Sequence, residues 1–177
     1  MNTKNLVFMA LLIGVGTALY IVVPGFVQGM KPDFILTMMF IGILLFPTFK
    51  ETFLLGVSAG VLSGLFTTFP AGFIPNIIDK FVTAFVFLAL VLVLKKVVSN
   101  IVVSAILVGF GTLISGIVFL SVALLAMGTD VGSTFIVLFT GVVLPAVAFN
   151  VIAFLVIFPI IVKLLKRSNF QTSLSQA

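Results

Sequence analysis

The chain has 177 residues, of which 62% are hydrophobic and only 7% charged, with nine Lys and Arg against four Asp and Glu. Soluble domains carry roughly 25% charged residues. A mean hydropathy of +1.48 over this length leaves more apolar surface than a soluble core can cover, so the solvent for the chain is lipid. With no Cys and no His, thiolate metal sites and the commonest general base are excluded.

About 20 residues of helix cross the hydrocarbon core. Charged and proline-bearing breaks then divide the chain into six expected spans. The first covers 5–23, is too long for a removable signal peptide, and stops at Pro24 and Gly25. A polar break follows, ending in Gly29-Met30-Lys31-Pro32-Asp33. The second span, 33–46, is short, and Lys50 and Glu51 separate it from the third, 52–66. The densest polar stretch comes next, TTFPAGFIPNIIDK over 67–80, with Pro70, Pro75, Asn76, Asp79 and Lys80. It reads as an outer loop leading into a fourth span at 77–94, which stops at Lys95-Lys96. The fifth span, 101–127, is long enough to tilt. The sixth fills 134–165 and ends in Lys163, Lys166 and Arg167. Kinks are expected at Pro145 and Pro159, since each removes a donor and clashes with the carbonyl four residues back, Gly141 and Leu155. The expected fold is an all-α integral membrane protein, one transmembrane domain over 1–177.

The positive-inside rule orients these spans. With the N-terminus in the cytoplasm, Lys4, Lys50, Lys95, Lys96, Lys163, Lys166 and Arg167 fall inside, while Lys31 and Lys80 fall outside. Asp33, Asp79 and Asp130 fall outside as well. Both termini are then cytoplasmic, and both polar breaks share the outer face. The net charge of +5 serves orientation rather than nucleic-acid binding.

Two spans carry small residues at intervals of four, which place them on one helix face. These are Ala10, Gly14 and Ala18 in the first span, and Gly56, Gly60 and Gly64 in the third. Such faces let backbones approach closely, either inside the protein or against a separate membrane partner. Asn150 lies near mid-depth of the last span, where a buried amide requires partners. It holds the bundle together or touches a ligand from below.

Catalytic constellations are missing. There is no Walker A pattern, no His-containing triad, and no acid expected in mid-span to build a metal site or proton relay. With no catalytic group in the chain, an enzyme is the weakest reading, and no cofactor is expected. What remains is a binding site. Lys31, Asp33, Asn76, Asp79 and Lys80 in the two breaks suit a zwitterion, because an ammonium seeks a carboxylate and a carboxylate seeks a Lys or an amide. Tyr20, Phe26, Phe34, Phe66, Phe69 and Phe73 supply aromatic walls for a flat ligand. The competing reading pairs the charges with one another at the lipid–water boundary. The aromatics count for less, because Phe occupies 21 of 177 positions and some must fall near any loop.

Gly29-Met30-Lys31-Pro32-Asp33, followed by Leu36-Thr37-Met38-Met39-Phe40, resembles the bacterial tryptophan transporter family TrpP. So does Thr67-Thr68-Phe69-Pro70, followed by Ile74-Pro75-Asn76-Ile77-Ile78-Asp79-Lys80. The opening Leu6-Val7-Phe8-Met9-Ala10-Leu11 is similar to the first helix of substrate-binding S components of energy-coupling factor (ECF) transporters. The resemblance implies a six-helix S component in the bacterial cytoplasmic membrane that captures tryptophan from outside. It also implies partners: a coupling membrane protein, docked on the Ala10, Gly14 and Ala18 face, and two ATPase subunits. Gly14 stands where that face commonly carries Ala. The residues implied to contact substrate are Lys31, Asp33, Asn76, Asp79 and Lys80, with Phe69 and Phe73 as wall; Asn150, from below, joins them by its place in the last span. A solitary secondary carrier for the same amino acid and a membrane scaffold without ligand are the other readings.

Overall fold

The computed structural model describes residues 3–24, 32–128 and 131–167. Every regular element among them is helical: α1 (Thr3–Val22), α2 (Phe34–Leu45), α3 (Phe49–Leu65), α4 (Phe73–Val93), α5 (Ile101–Met127), α6 (Val131–Leu138) and α7 (Leu144–Arg167). A π turn, Phe139–Val143, joins α6 to α7 without a break, so the described residues form six rods. Four stretches are long and apolar enough to cross a membrane: Thr3–Val22, Phe73–Val93, Ile101–Met127 and Thr134–Leu165.

The bundle is built around α2. Its sequence, FILTMMFIGILL, has no polar face, and a helix apolar all round is buried all round. All 12 of its residues are buried. It packs against α1, α3, α4, α5 and α7. At 1.5 Å per residue it is about 18 Å long, short of the ~30 Å hydrocarbon core. Phe40 of α2 stacks on Phe87 of α4 with ring centroids 4.2 Å apart, tying two sides of the core together.

The two small-residue stripes have opposite destinations. A Cβ on Gly60 would lie 3.0 Å from the Ile77 Cα, and one on Gly64 would lie 2.9 Å from the Phe73 carbonyl oxygen. Helix α3 therefore meets α4 backbone to backbone, and this stripe is internal packing. On α1 the buried face is Met9, Leu12, Ile13, Gly16 and Thr17. Ala10, Gly14 and Ala18 are exposed, and a Cβ on Gly14 would meet nothing within 4 Å.

One expectation changes. The 67–80 stretch is not all loop, because α4 starts at Phe73 rather than near 77. Pro75 sits in the first turn, where helical N–H groups have no intrahelical partner, so a missing donor costs nothing. Asn76, Asp79 and Lys80 are thereby helical and buried. At Pro145, where a kink is expected, the hydrogen-bond ladder is rearranged. The proline's missing N–H cannot bond Gly141, and the chain answers with the π turn, in which Leu144 N–H donates to Phe139 O five residues back. Pro159 lies inside α7, which continues through it.

Candidate functional site

The charged groups converge where the start of α2 meets α4, α5 and α7. Asp33 is the N-cap of α2, and its Oδ1 accepts from the Leu36 N–H at 2.9 Å. A carboxylate is favoured at that terminus by the unpaired N–H groups and the helix dipole. The Asp33 backbone N–H donates to Asn150 Oδ1 of α7 at 2.7 Å, and Asn150 Nδ2 donates to Thr112 Oγ1 of α5 at 3.3 Å. Asn150 thus joins three helices while facing the site.

Lys80 lies at the centre. Its Nζ is 3.0 Å from Asp33 Oδ2 and 2.7 Å from Asp79 Oδ2, and donates to Ser115 Oγ at 3.3 Å. An ammonium has three donors, and these three partners take them all. Asp79 is fully buried. Its Oδ1 accepts from Thr83 Oγ1 at 2.9 Å, and its Oδ2 accepts from Ser115 Oγ at 2.8 Å as well as from Lys80. Two carboxylates share one ammonium, so the cluster holds more acid than base. Exposure separates them: the side chains of Asp79 and Lys80 are 0% and 3% exposed, and that of Asp33 is 28% exposed. Asp33 is the member a ligand reaches.

That exposed edge opens on a cavity of about 330 Å³, at the small end of the ~300–1,000 Å³ typical of small-molecule sites. The polar end is Asp33, Lys80, Ser115, Thr112 and Asn150. The wall further along is Phe69, Phe119, Leu120 and Val143, with Tyr20 beside Asp33. Phe69 and Phe119 meet edge to face, with centroids 5.3 Å apart at 79°, a favoured aromatic geometry that leaves ring surface for a flat guest.

Of the residues singled out in the sequence, Asp33, Phe69, Asn76, Asp79, Lys80 and Asn150 all line this cavity. Asn76 is buried one turn before Lys80, and its Nδ2 donates to Gly72 O at 2.8 Å, closing the start of α4. Phe73 does not line the cavity; it lies over Gly64 and is 41% exposed. Phe34 is buried at the α1–α2 contact, and Phe66 is exposed. Lys31 and Phe26 lie outside the described residues. Ser115, Thr112, Thr83 and Phe119 were not anticipated. Thr83 stands four residues after Asp79, a helical neighbour distance, and Thr112 and Ser115 share a face of α5. Those spacings were legible, but nothing local says that α5 presents that face to α4.

A multi-pass bundle of long apolar helices that encloses a cavity of small-molecule size, with charges held inside, is the architecture of a membrane transport protein. The chain belongs to the tryptophan transporter TrpP family, whose model matches residues 2–166. A "Probable tryptophan transport protein" of Bacillus subtilis (strain 168) is 49% identical over 170 residues, covering 96% of this chain and 97% of the relative. Proteins described in the same words from Clostridium acetobutylicum and Clostridium perfringens are 44% and 37% identical, over 89% and 95% of this chain and 91% and 96% of the relatives. No solved structure matches the chain.

Proposed function

We propose that the chain, a single transmembrane unit over 1–177, captures tryptophan in the cavity between α2, α4, α5 and α7. The observation that carries this reading is the partly exposed Asp33 carboxylate beside the Asn150 amide, at the mouth of a cluster with excess acid. An α-amino acid carries its ammonium and carboxylate on one carbon, and needs an acceptor and a donor side by side. Asp33 takes the ammonium. Asn150, with one N–H not used by Thr112, takes the carboxylate. Lys80 neutralises the cluster from within and is not a free carboxylate receptor, because its donors are committed. The side chain then extends toward Phe69 and Phe119.

The proposed setting is an S component with both termini cytoplasmic and six crossings. It docks a coupling membrane protein through Ala10, Gly14 and Ala18 and works with two ATPase subunits. The exposure of that face, with open space over Gly14, supports the docking. A specific observation also favours the runner-up, a solitary secondary carrier: buried Asp79 lies within a span, the placement that proton-coupled carriers use.

The test is calorimetric titration of the detergent-purified chain with tryptophan, using tyrosine, indole and riboflavin as competitors. Tight, tryptophan-selective binding is expected, with indole alone a weak competitor for want of both charges. Absence of tryptophan binding overturns the proposal. Uptake in a host lacking ECF ATPases separates the two settings: an S component loses uptake there, whereas a carrier keeps it and loses it to a protonophore.

A further inference from the structure

Ser63 is a second polar feature of the cavity that the charge cluster does not use. It lies on α3, is 6% exposed, lines the cavity, and its Oγ has no hydrogen-bond partner among the described residues. Other helical hydroxyls in this chain solve the same problem by bonding back to their own helix: Thr17 to Ile13 O, Ser58 to Leu54 O and Thr112 to Val108 O, each at 2.7 to 2.8 Å. Ser63 makes no such bond. A buried hydroxyl left unpaired costs stability, and in a residue that lines a cavity a ligand can supply the partner.

The depth of Ser63 defines which part of a ligand it meets. Its neighbours Gly60 and Gly64 touch α4 at Asn76–Ile77 and at Phe73. Ser63 therefore stands level with the first turn of α4, about 8 Å along the helix from Asp79 and Lys80. Phe119 is one turn beyond Ser115 on α5 and also lines the cavity. A ligand whose ammonium sits on Asp33 and whose ring lies against Phe119 and Phe69 brings the ring's edge to Ser63. The geometry points to Ser63 Oγ as the acceptor of the indole N–H, and so as the residue that selects tryptophan over other aromatic amino acids. An indole N–H donates only, and a Ser hydroxyl offers two lone pairs. This inference rests on the binding reading above.

The test compares L-tryptophan with L-3-benzothienylalanine, which keeps the bicyclic shape and replaces the N–H by sulfur. Both are titrated into the full-length chain in detergent, as wild type, Ser63→Ala and Thr52→Val. Thr52 Oγ1 is also buried and unpaired but lies away from the cavity, and serves as the control. Wild type is expected to prefer tryptophan about tenfold, the scale of one neutral hydrogen bond. Ser63→Ala is expected to lose that preference through weaker tryptophan binding, with benzothienylalanine unchanged. Thr52→Val is expected to keep it. Without ligand, Ser63→Ala is expected to melt no lower than wild type, since it gives up no native hydrogen bond. A Ser63→Ala chain that keeps the tryptophan preference, or that melts well below wild type, overturns the assignment of Ser63 and leaves the capture reading standing. Wild type that binds neither ligand overturns the capture reading and this inference with it.

Discussion

Lys80→Met removes the ammonium held between Asp33 and Asp79 and keeps a side chain of similar length. At an effective dielectric of about 20, contacts at 3.0 and 2.7 Å are worth about 5 to 6 kcal/mol each. Most of that offsets the desolvation of the three ions, several kcal/mol apiece. The substitution forfeits the attraction and leaves the desolvation in place for Asp79, at 0% exposure. Breaking a buried pair in this way costs about 3–5 kcal/mol. A second substitution sharpens the test. In Lys80→Met/Asp79→Asn the buried carboxylate goes too, while the amide still faces Thr83 and Ser115. The double variant should recover most of the loss, because both partners of the buried pair are gone. The assay is ligand-free thermal unfolding in one detergent, followed by the fraction remaining monodisperse. Lys80→Met melting within error of wild type, or a double variant no better than the single, would refute a buried, mutually compensating cluster.

Further predictions follow from the same geometry. Asn150→Leu leaves the Asp33 N–H and Thr112 without their partner, so a loss of about 1–3 kcal/mol is expected; denaturation in mixed micelles measures it, and tryptophan affinity should fall in parallel. Gly60→Leu drives a side chain against the backbone of Ile77 and is expected to cost at least 1–3 kcal/mol, visible as poor recovery after heating. Gly14→Leu projects into open space, so stability and tryptophan binding should match wild type; uptake by intact cells should nonetheless collapse, and survival of uptake would assign that face to lipid. Phe119→Ala removes half of the edge-to-face pair on the cavity wall and should weaken tryptophan binding about tenfold in titration, with little change for an aliphatic competitor.

Much of the site was legible because its residues are chemically out of place. In a chain with four acids, Asp33 and Asp79 stand out, and Asn150 stands out in a long apolar run. What misled was the meaning of Pro75. Beside Pro70 and a cluster of polar residues it reads as a breaker, yet at the third position of α4 it is neutral. That one ambiguity moved Asn76, Asp79 and Lys80 from a wet loop to a dry helix. Phe73 shows the converse limit: the composition placed it near the site, and the backbone contact with Gly64 turned it to the outside.

By itself the sequence determined the solvent and the helical class, because these depend on composition and on periodic apolar length. It also located the polar residues that lipid would not tolerate unpaired. Tertiary structure decided which of them meet. Identical spacing of small residues gave α3 a partner in α4 and left the α1 face open, since spacing specifies a face and not its neighbour. The pairing of Lys80 with Asp33, 47 positions away, and of Asn150 with Asp33, 117 positions away, depends on how α2 is enclosed by the other helices. Hydrogen bonds and ion pairs reach only about 3 Å, and no local pattern in the chain encodes which distant helix comes that close.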